Sequence, residues 1–345
     1  MTKRVTTQSI VEATGLSRAT VDRVLNNRHG VHPRTCAVVR QAIEQLHHTT
    51  ANASPASGYA SSVPKRQFYL IVQAGDAFTL KLGHEVKRAA ALDANKHHQF
   101  DVFNFSIDTG DAALIHHLRA IPADVDSIAV IVKNTPAISY ELAQLRSRGT
   151  PVVAMVSDVD PAARDCYVGI DNRAAGQAVG HLIGQHFRSA MAANVAVVVG
   201  SFSFICHEDR ETGFRSVLRA NYPHVKIVDV IKGNDTAEAT YRASKMLLKQ
   251  NTAIDGIYNV GGGNNGLGLA LTEAGRQQTT LFVAHEVNLI TERLLRDGVI
   301  DYVVSQDMEK LVGTTVDQLL RLASGLVGQE NSLIPSFMLC KYMLP

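Results

Sequence analysis

From about residue 67 onwards, the chain alternates short β-rich runs with segments whose apolar residues recur at helical spacing. The runs Phe68–Gln73, Phe100–Phe105 and Ser127–Val132 are dense in β-branched and aromatic residues, which favours strands. The intervening apolar stripes predict amphipathic helices, for example Leu80–Asn95 and Arg210–Asn221. This alternation continues to the end of the chain.

Strands that alternate with helices predict parallel sheets covered by helices on both faces. The pattern contains too many strands for one compact sheet, so we expect two lobes, each with Rossmann-like topology. Ligands of such sheets bind outside the carboxyl ends of the strands. Two facing lobes would therefore form a ligand cleft.

The amino-terminal segment has a different pattern, with two short helical stretches on either side of a tight turn. Thr6 or Thr7 can cap the first helix, Gly15 ends it, and Ser17 can cap the second. A third amphipathic helix is predicted from Pro33 or Arg34 to Leu46. Three short helices with such a turn are typical of the helix-turn-helix module, which inserts its second helix into the major groove of DNA.

The charge distribution agrees with this interpretation. Residues 1–50 hold seven Lys or Arg and three Asp or Glu, a net charge of +4, whereas the whole chain carries +2. The remaining 295 residues therefore sum to −2. A basic head on a slightly acidic body is suited to phosphate contacts by the head alone.

Composition excludes several other classes. No apolar run approaches the ~20 residues that span a membrane, and no apolar stretch follows the basic start to form a secretory signal. Four scattered cysteines without a Cys-x-x-Cys pair predict a cytoplasmic protein with free thiols. The histidines occur as adjacent pairs, which do not share a helix face, so we expect no metal site and no cofactor.

From Thr6 onwards the sequence reads Thr-x-x-x-Ile-Val-x-x-x-Gly-Leu-Ser-x-Ala-Thr-Val-x-Arg-Val-Leu-Asn. This stretch resembles the headpiece of the LacI family of bacterial transcription regulators. Further similarity lies at Gly169–Gly176, Arg210–Phe214, Ser305–Asp307 and Leu344–Pro345. The resemblance implies a helix-turn-helix headpiece followed by a two-lobed α/β domain with the type I periplasmic-binding-protein fold. It implies a homodimeric repressor that binds a palindromic double-stranded DNA operator under the control of a small effector, such as a sugar or polyol.

On this resemblance the chain divides into a headpiece at residues 1–48, a linker at 49–66 and an effector domain at 67–345. The amino-terminal lobe would comprise about 67–171 and 307–333, and the carboxy-terminal lobe about 172–306 and 334–345. The linker is rich in Ala, Ser, Thr, Asn, Gly and Pro, a composition that opposes a helix. The family's hinge helix, with its leucine wedge, has no counterpart in Ala51–Gly58.

The resemblance also assigns residues to the two predicted sites. Arg18, Ala19 and Arg23 would face base edges, and Arg23 is the best candidate for a bidentate contact with guanine. The predicted phosphate contacts are Thr6, Ser17, Thr20 and Asn26. Strand-end position and the resemblance together predict an effector site of Asp76, Phe78, Asp158, Arg210, Asn259, Asn264, Glu286 and Gln306, with Phe202 or Phe204 as a further apolar face.

An alternative interpretation rests on Gly261-Gly-Gly-Asn-Asn-Gly266. This segment fits the Gly-x-Gly-x-x-Gly fingerprint, follows a predicted strand, opens a helix and precedes Glu286 by twenty residues. It would make the protein an NAD(P)-dependent oxidoreductase, or provide amides for an anionic group of the effector. The motif lies late in the chain, so we favour a non-enzymatic protein. The nucleophile-like Cys206–Asp209 is equally weak evidence for catalysis, because catalytic residues need spatial adjacency.

Overall fold

The computed structural model of the protein describes residues 7–14, 16–25, 39, 64–92, 94–251 and 253–344. The chain divides into two compact units, residues 1–64 and residues 65–345. No helix among the described residues is long and apolar enough to cross a membrane.

The described residues of the first unit form two short helices, α1 (Thr7–Thr14) and α2 (Arg18–Leu25). Ile10, Val21 and Val39 are buried together in a small core. The Ser17 hydroxyl accepts a hydrogen bond from the Thr20 amide at 3.2 Å, the cap predicted for the second helix. Most of the predicted third helix, the linker up to residue 63, Thr6 and Asn26 lie outside the described residues. The three-helix headpiece is therefore not shown.

The second unit contains two six-stranded sheets flanked by helices, which confirms the two-lobed α/β fold. The first lobe consists of these elements: β1 (Gln67–Gln73), α3 (Asp76–Ala90), β2 (Gln99–Phe105), α4 (Asp111–Arg119), β3 (Ser127–Ile131), α5 (Pro136–Ser147), β4 (Val152–Met155), β5 (Cys166–Gly169), α11 (Met308–Ala323) and β11 (Asn331–Leu333). Its sheet has the order β11-β5-β4-β3-β1-β2 and every pair is parallel.

The second lobe repeats this arrangement. Its elements are α6 (Asn172–His186), β6 (Ala193–Val199), α7 (Ile205–Asn221), β7 (Val225–Lys232), α8 (Ala237–Gln250), β8 (Gly256–Asn259), α9 (Asn264–Glu273), β9 (Leu281–His285), α10 (Leu289–Arg296), β10 (Tyr302–Gln306) and β12 (Ser336–Leu339). The sheet order is β12-β10-β9-β8-β6-β7, and only β12 is antiparallel to its neighbour within this sheet. The chain passes between the lobes after β5, after β10 and after β11.

Two helices that carry predicted site residues begin earlier than the apolar pattern indicated. Helix α3 begins at Asp76 rather than Leu80, so Asp76 lies in its first turn, where a carboxylate interacts favourably with the helix dipole. Helix α7 begins at Ile205, so Arg210 lies in its second turn and not at a helix start. Sequence periodicity is least informative at such ends, because the first turn needs no complete apolar stripe.

Helices α6 and α7 pack unusually close together in the second lobe. A Cβ atom on Gly176 of α6 would lie 2.0 Å from the Arg210 carbonyl oxygen, and one on Gly213 of α7 would lie 2.2 Å from the Arg173 carbonyl oxygen. Real Cβ atoms do not approach backbone oxygens so closely. The two glycines therefore allow α7 to carry Arg210 directly against the start of α6.

We expect Gly176→Ala to destabilise the fold by about 1–3 kcal/mol, because the added methyl group overpacks the α6–α7 contact. The matched control is Gly313→Ala in α11, where an added Cβ meets no atom within 4 Å. That change should be neutral or stabilising by about 0.5–1 kcal/mol, since alanine favours a helix over glycine. Urea denaturation followed by circular dichroism measures both, and equal effects of the two substitutions would contradict the packing argument.

Candidate ligand-binding site

A cavity of about 310 Å³ lies between the two lobes, at the carboxyl ends of both parallel sheets. This is the position expected for a ligand of parallel α/β sheets. Each lobe contributes residues that follow its strands. The strand-end residues that line the cavity include Gln73, Ser106 and Ile131 from the first lobe, and Asp235, Gly261 and Glu286 from the second.

The structure places five of the eight predicted effector residues in the cavity wall: Asp76, Phe78, Arg210, Asn264 and Glu286. Phe204 also lines the cavity and is 3% exposed. Contact of these side chains with a ligand stays a prediction.

The other three predicted residues lie outside the cavity wall. The Asp158 carboxylate forms an ion pair with Arg164, with its oxygens 2.5 Å from Nε and 2.8 Å from Nη2. Asn259 is fully buried and donates hydrogen bonds to the Gly262 carbonyl and to Asn264 Oδ1, both at 2.8 Å. Its amide thus shapes the loop that follows β8.

Gln306 is the third of these residues, and it acts on the cavity through Glu286. Gln306 Nε2 donates to Glu286 Oε1 at 2.8 Å. The alternative apolar residue Phe202 is 52% exposed and is not part of the cavity wall. Strand-end position alone did not distinguish residues that reach the cavity from those that support it.

Arg210 connects three parts of the site. Its side chain is buried; Nε donates to Asn172 Oδ1 and Nη1 donates to the Val260 carbonyl, both at 2.8 Å. Asn172 Nδ2 in turn donates to Tyr167 Oη at 3.1 Å and to the Val156 carbonyl at 3.2 Å. A chain of buried hydrogen bonds thus runs from the first lobe, through the start of α6, to the glycine loop after β8.

Glu286 supplies an acceptor whose hydrogen-bonding capacity is only partly used. Its Oε2 atom is buried and has no hydrogen-bond partner among the described residues, as is true of Gln306 Oε1. Burial raises the pKa of the Glu286 carboxyl, while Arg210, Gln306 and Lys81 act in the opposite direction. Buried acceptors without partners are uncommon in native proteins, and these two atoms lie behind the cavity wall rather than at its surface.

His285 adds a third buried atom without a partner. Its Nε2 lies 2.7 Å from Tyr258 Oη, and its buried Nδ1 has no partner within the part of the chain that the structure describes. Burial, reinforced by Arg210 and His207, holds the pKa of His285 well below its ordinary value. The imidazole is therefore neutral and hydrogen-bonds as a polar, uncharged group.

His207 and Asp235 form a charged pair in the wall of the second lobe. His207 Nε2 lies 3.9 Å from Asp235 Oδ2, and both side chains are nearly buried. Burial by itself lowers the pKa of His207, but the Asp235 carboxylate and Cys206 together raise it to about 9. The imidazole is therefore protonated at neutral pH.

Sequence reasoning missed Asp235, His285 and the cavity position of His207. Asp235 follows β7 in the turn-forming segment Gly233-Asn234-Asp235, and His285 ends β9. Strand-end position is a signal that was available for both. The distinction between a cavity residue and an ordinary turn residue depends on the backbone path of the loop, which sequence pattern does not give.

Several contacts join the lobes around the cavity. Lys81 Nζ of α3 donates to the Val287 carbonyl after β9 at 2.6 Å. The Asn134 amide donates to the Ser203 carbonyl at 2.6 Å. Ile107 of the first lobe packs with Phe204 and Cys206 of the second in a small buried cluster. The lobes are therefore in a closed arrangement.

The glycine-rich loop does not have the geometry of a phosphate site. The Gly262 amide donates to Asp235 Oδ1 at 2.6 Å, and Gly261 N–H donates to Asn259 Oδ1 at 3.3 Å. A pyrophosphate placed at the start of α9 would meet the Asp235 carboxylate, and like charges repel. The NAD(P)-dependent oxidoreductase predicted as the alternative is therefore not supported. The described residues also contain no cluster of His, Cys, Asp or Glu suited to a metal ion.

Comparison with known proteins identifies the family. The family model for the periplasmic binding protein domain matches residues 69–326 of this chain. The chain therefore belongs to the family of periplasmic binding protein domains. Its members are binding proteins and not enzymes. A search of curated proteins found no match.

Solved structures with the same fold cover most of this chain. A glucose-galactose binding protein from Geobacillus stearothermophilus is 20% identical with a TM-score of 0.73, over 82% of this chain and 99% of that one. A solute-binding protein from Burkholderia graminis C4D1M in complex with D-arabinose is 20% identical with a TM-score of 0.74, over 82% of this chain and 97% of that one. A periplasmic solute-binding protein from Actinobacillus succinogenes 130z with bound D-allose is 19% identical with a TM-score of 0.71, over 81% and 98%. At these identities the likeness shows the fold.

These comparisons correct two predictions. The predicted DNA-binding transcriptional regulator is wrong on this evidence, because the family and the reported structures are those of solute-binding proteins and not of operator-binding proteins. The predicted cytoplasmic location is contradicted by the same match to a periplasmic domain. The LacI resemblance is thus supported only in its coarser part, the two-lobed binding domain, and the homodimer stays a prediction.

The contact between Lys81 and Val287 gives a test of lobe closure. We expect Lys81→Met, which keeps the apolar stem but removes the charged donor, to shift the protein towards an open arrangement, since such a hydrogen bond contributes about 1.5–3 kcal/mol. Small-angle X-ray scattering should show a larger radius of gyration. Lys87→Met, an exposed position on the same helix, is the control. An unchanged radius in Lys81→Met would show that this contact does not hold the lobes together.

Proposed function

We propose that this protein binds a small, uncharged polyhydroxy compound, a sugar or polyol, in the cavity between its lobes. The observation that carries the proposal is the polar lining of this cavity, to which Asp76, Arg210, His207 and Asp235 contribute both hydrogen-bond donors and acceptors. Sugar hydroxyls donate and accept hydrogen bonds and are suited to such atoms.

The charges around the cavity favour a neutral ligand. Arg210 and His207 carry positive charge, whereas Asp76 and Asp235 carry negative charge, and Glu286 adds a third carboxyl group. An anion would meet the carboxylates and a cation would meet the guanidinium and the imidazolium. Vicinal hydroxyls, in contrast, hydrogen-bond to both kinds of group.

The size and shape of the cavity restrict the ligand further. A volume of about 310 Å³ lies at the lower end of the range of ligand pockets, which favours a compound of monosaccharide size. Phe78 and Phe204 provide apolar wall on which the C–H faces of a sugar ring pack. Three structures with this fold are described as glucose-galactose binding, bound to D-arabinose and bound to D-allose, which supports the same class.

Lobe closure gives the binding mechanism. Residues from both lobes contribute to the wall, so a ligand in the cavity makes its full set of contacts only when the lobes are closed. Binding therefore shifts the population towards the closed arrangement, by as much as the affinity difference between the two states allows. The contacts at Lys81 and Asn134 would then be stabilised by the ligand.

The direct test is a thermal-shift screen with D-glucose, D-galactose, D-allose, D-arabinose and D-fructose, followed by calorimetry with the best binder. A saturating ligand at 100 times its dissociation constant stabilises the folded state by about 2.7 kcal/mol, which is readily measured as a rise in Tm. If no neutral sugar or polyol raises the Tm while sugar phosphates do, the charge argument is wrong and so is the proposed ligand class.

We expect Glu286→Gln to weaken binding of the best sugar about 10-fold or more, because the amide keeps one oxygen of the carboxyl group and replaces the other with an NH2 donor, which leaves a buried polar group mispaired. Isothermal titration calorimetry measures the change. Glu292→Gln, in α10 and outside the cavity wall, is the matched control and should keep its affinity. Equal affinity of the two variants would remove Glu286 from the binding site.

A further inference from the structure

The pair His207 and Asp235 has a geometry that the protein alone does not satisfy. The distance of 3.9 Å between Nε2 and Oδ2 exceeds that of a hydrogen bond between nitrogen and oxygen. Both side chains are more than nine-tenths buried, with exposures of 9% and 7%, and both residues line the cavity. A buried donor and a buried acceptor thus face each other across a gap.

The position of Asp235 is held by an unusual local structure. Asn234 and Asp235 have φ angles of 50° and 54°, a left-handed conformation that non-glycine residues seldom adopt. Asp235 Oδ1 accepts from the Gly262 amide at 2.6 Å. A Cβ atom on Gly200 would lie 2.0 Å from Oδ1, and one on Gly261 would lie 2.2 Å from it. The Asp235 carboxylate therefore fits only because residues 200 and 261 are glycines. Strain of this kind clusters at functional sites.

The two oxygens of Asp235 therefore differ in role. Oδ1 is committed to the glycine loop. Within the described residues, the polar group that faces Oδ2 is His207 Nε2, which is too distant for a direct hydrogen bond. Oδ2 is thus available as a charged acceptor.

His207 presents a donor to this acceptor. Its Nδ1 lies 3.3 Å from the Ser201 amide nitrogen and 3.2 Å from the Ser201 carbonyl oxygen. The ring is protonated at neutral pH, so both nitrogens carry protons, and Nδ1–H faces the Ser201 carbonyl. Nε2–H then faces Asp235 Oδ2.

We propose that one hydroxyl group of the ligand bridges His207 Nε2 and Asp235 Oδ2, and that this pair selects ligands with a hydroxyl at that position. A hydroxyl oxygen about 2.8 Å from both atoms would have them at an angle of about 90°, which suits one accepted and one donated hydrogen bond. The inference rests on the proposed function and assigns part of the ligand selectivity to one pair.

The consequence is discrimination against deoxy analogues. A site that hydrogen-bonds a substrate hydroxyl rejects the analogue without it, since the buried polar groups are then left unpaired. Apolar wall residues such as Phe78 cannot discriminate in this way, because a ring face contacts both compounds alike.

The experiment compares the best-binding sugar with each of its monodeoxy analogues by calorimetry, in the wild type, Asp235→Asn and Glu238→Gln. We expect the wild type to bind one of the monodeoxy analogues about 10-fold or more weakly than the parent sugar, because that analogue lacks the hydroxyl group that this pair binds. In Asp235→Asn the loss at that position should fall below about 3-fold, because two changes at one contact are not additive. Glu238→Gln, an exposed carboxylate-to-amide change in α8, is the control. It should bind the same deoxy analogue as weakly, relative to the parent sugar, as the wild type does.

The outcomes separate this inference from the proposed function. If no sugar or polyol binds the wild type, the proposed function fails. A second outcome is that the wild type binds a sugar, but each monodeoxy analogue loses the same affinity in Asp235→Asn as in the wild type. In that case the pair does not select the ligand, and the gap holds only water. His207→Gln provides the second variant, should Asp235→Asn not fold, and it should abolish the loss at the same deoxy position.

Discussion

The buried guanidinium of Arg210 is the constraint on which the rest of the site depends. A charged group is costly to bury unless it is hydrogen-bonded, and here Nε donates to Asn172 Oδ1 and Nη1 donates to the Val260 carbonyl. These partners lie at a crossover between the lobes and at the glycine loop after β8. One side chain thereby fixes both the start of α6 and the loop that shapes the cavity, while the close α6–α7 packing permits its position.

Backbone strain is concentrated at the same place. The non-glycine residues with positive φ in the described chain are Val156, Asn234, Asp235 and Glu286. Three of these line the cavity, and Asn234 adjoins it. Each such residue costs of order 1–3 kcal/mol, which the packed sheets on either side must offset. The fold thus supplies rigid, well-packed lobes whose stability is partly used to hold polar groups in positions that suit a ligand.

The error about function has a specific origin. The regulator prediction came from a pattern in residues 6–27 that suits phosphate contacts, whereas the family match covers residues 69–326 and concerns solute binding. The alternative interpretation, a dinucleotide site, failed for a different reason. A fingerprint specifies glycine positions but not what the loop amides bind, and in this loop Gly262 N–H is bound by the carboxylate of Asp235.

Alternation of strands and helices determined the fold class, the two lobes and the edge at which a ligand site must lie, because hydrophobic periodicity reports which face of each element is buried. Together with the family resemblance, it also identified Asp76, Phe78, Arg210, Asn264 and Glu286 as residues near that edge. Only the tertiary structure decided that Asp158 pairs with Arg164, that Asn259 and Gln306 support other residues, and that Asp235 faces His207. These outcomes depend on loop paths and on contacts between residues distant in sequence, neither of which local pattern encodes.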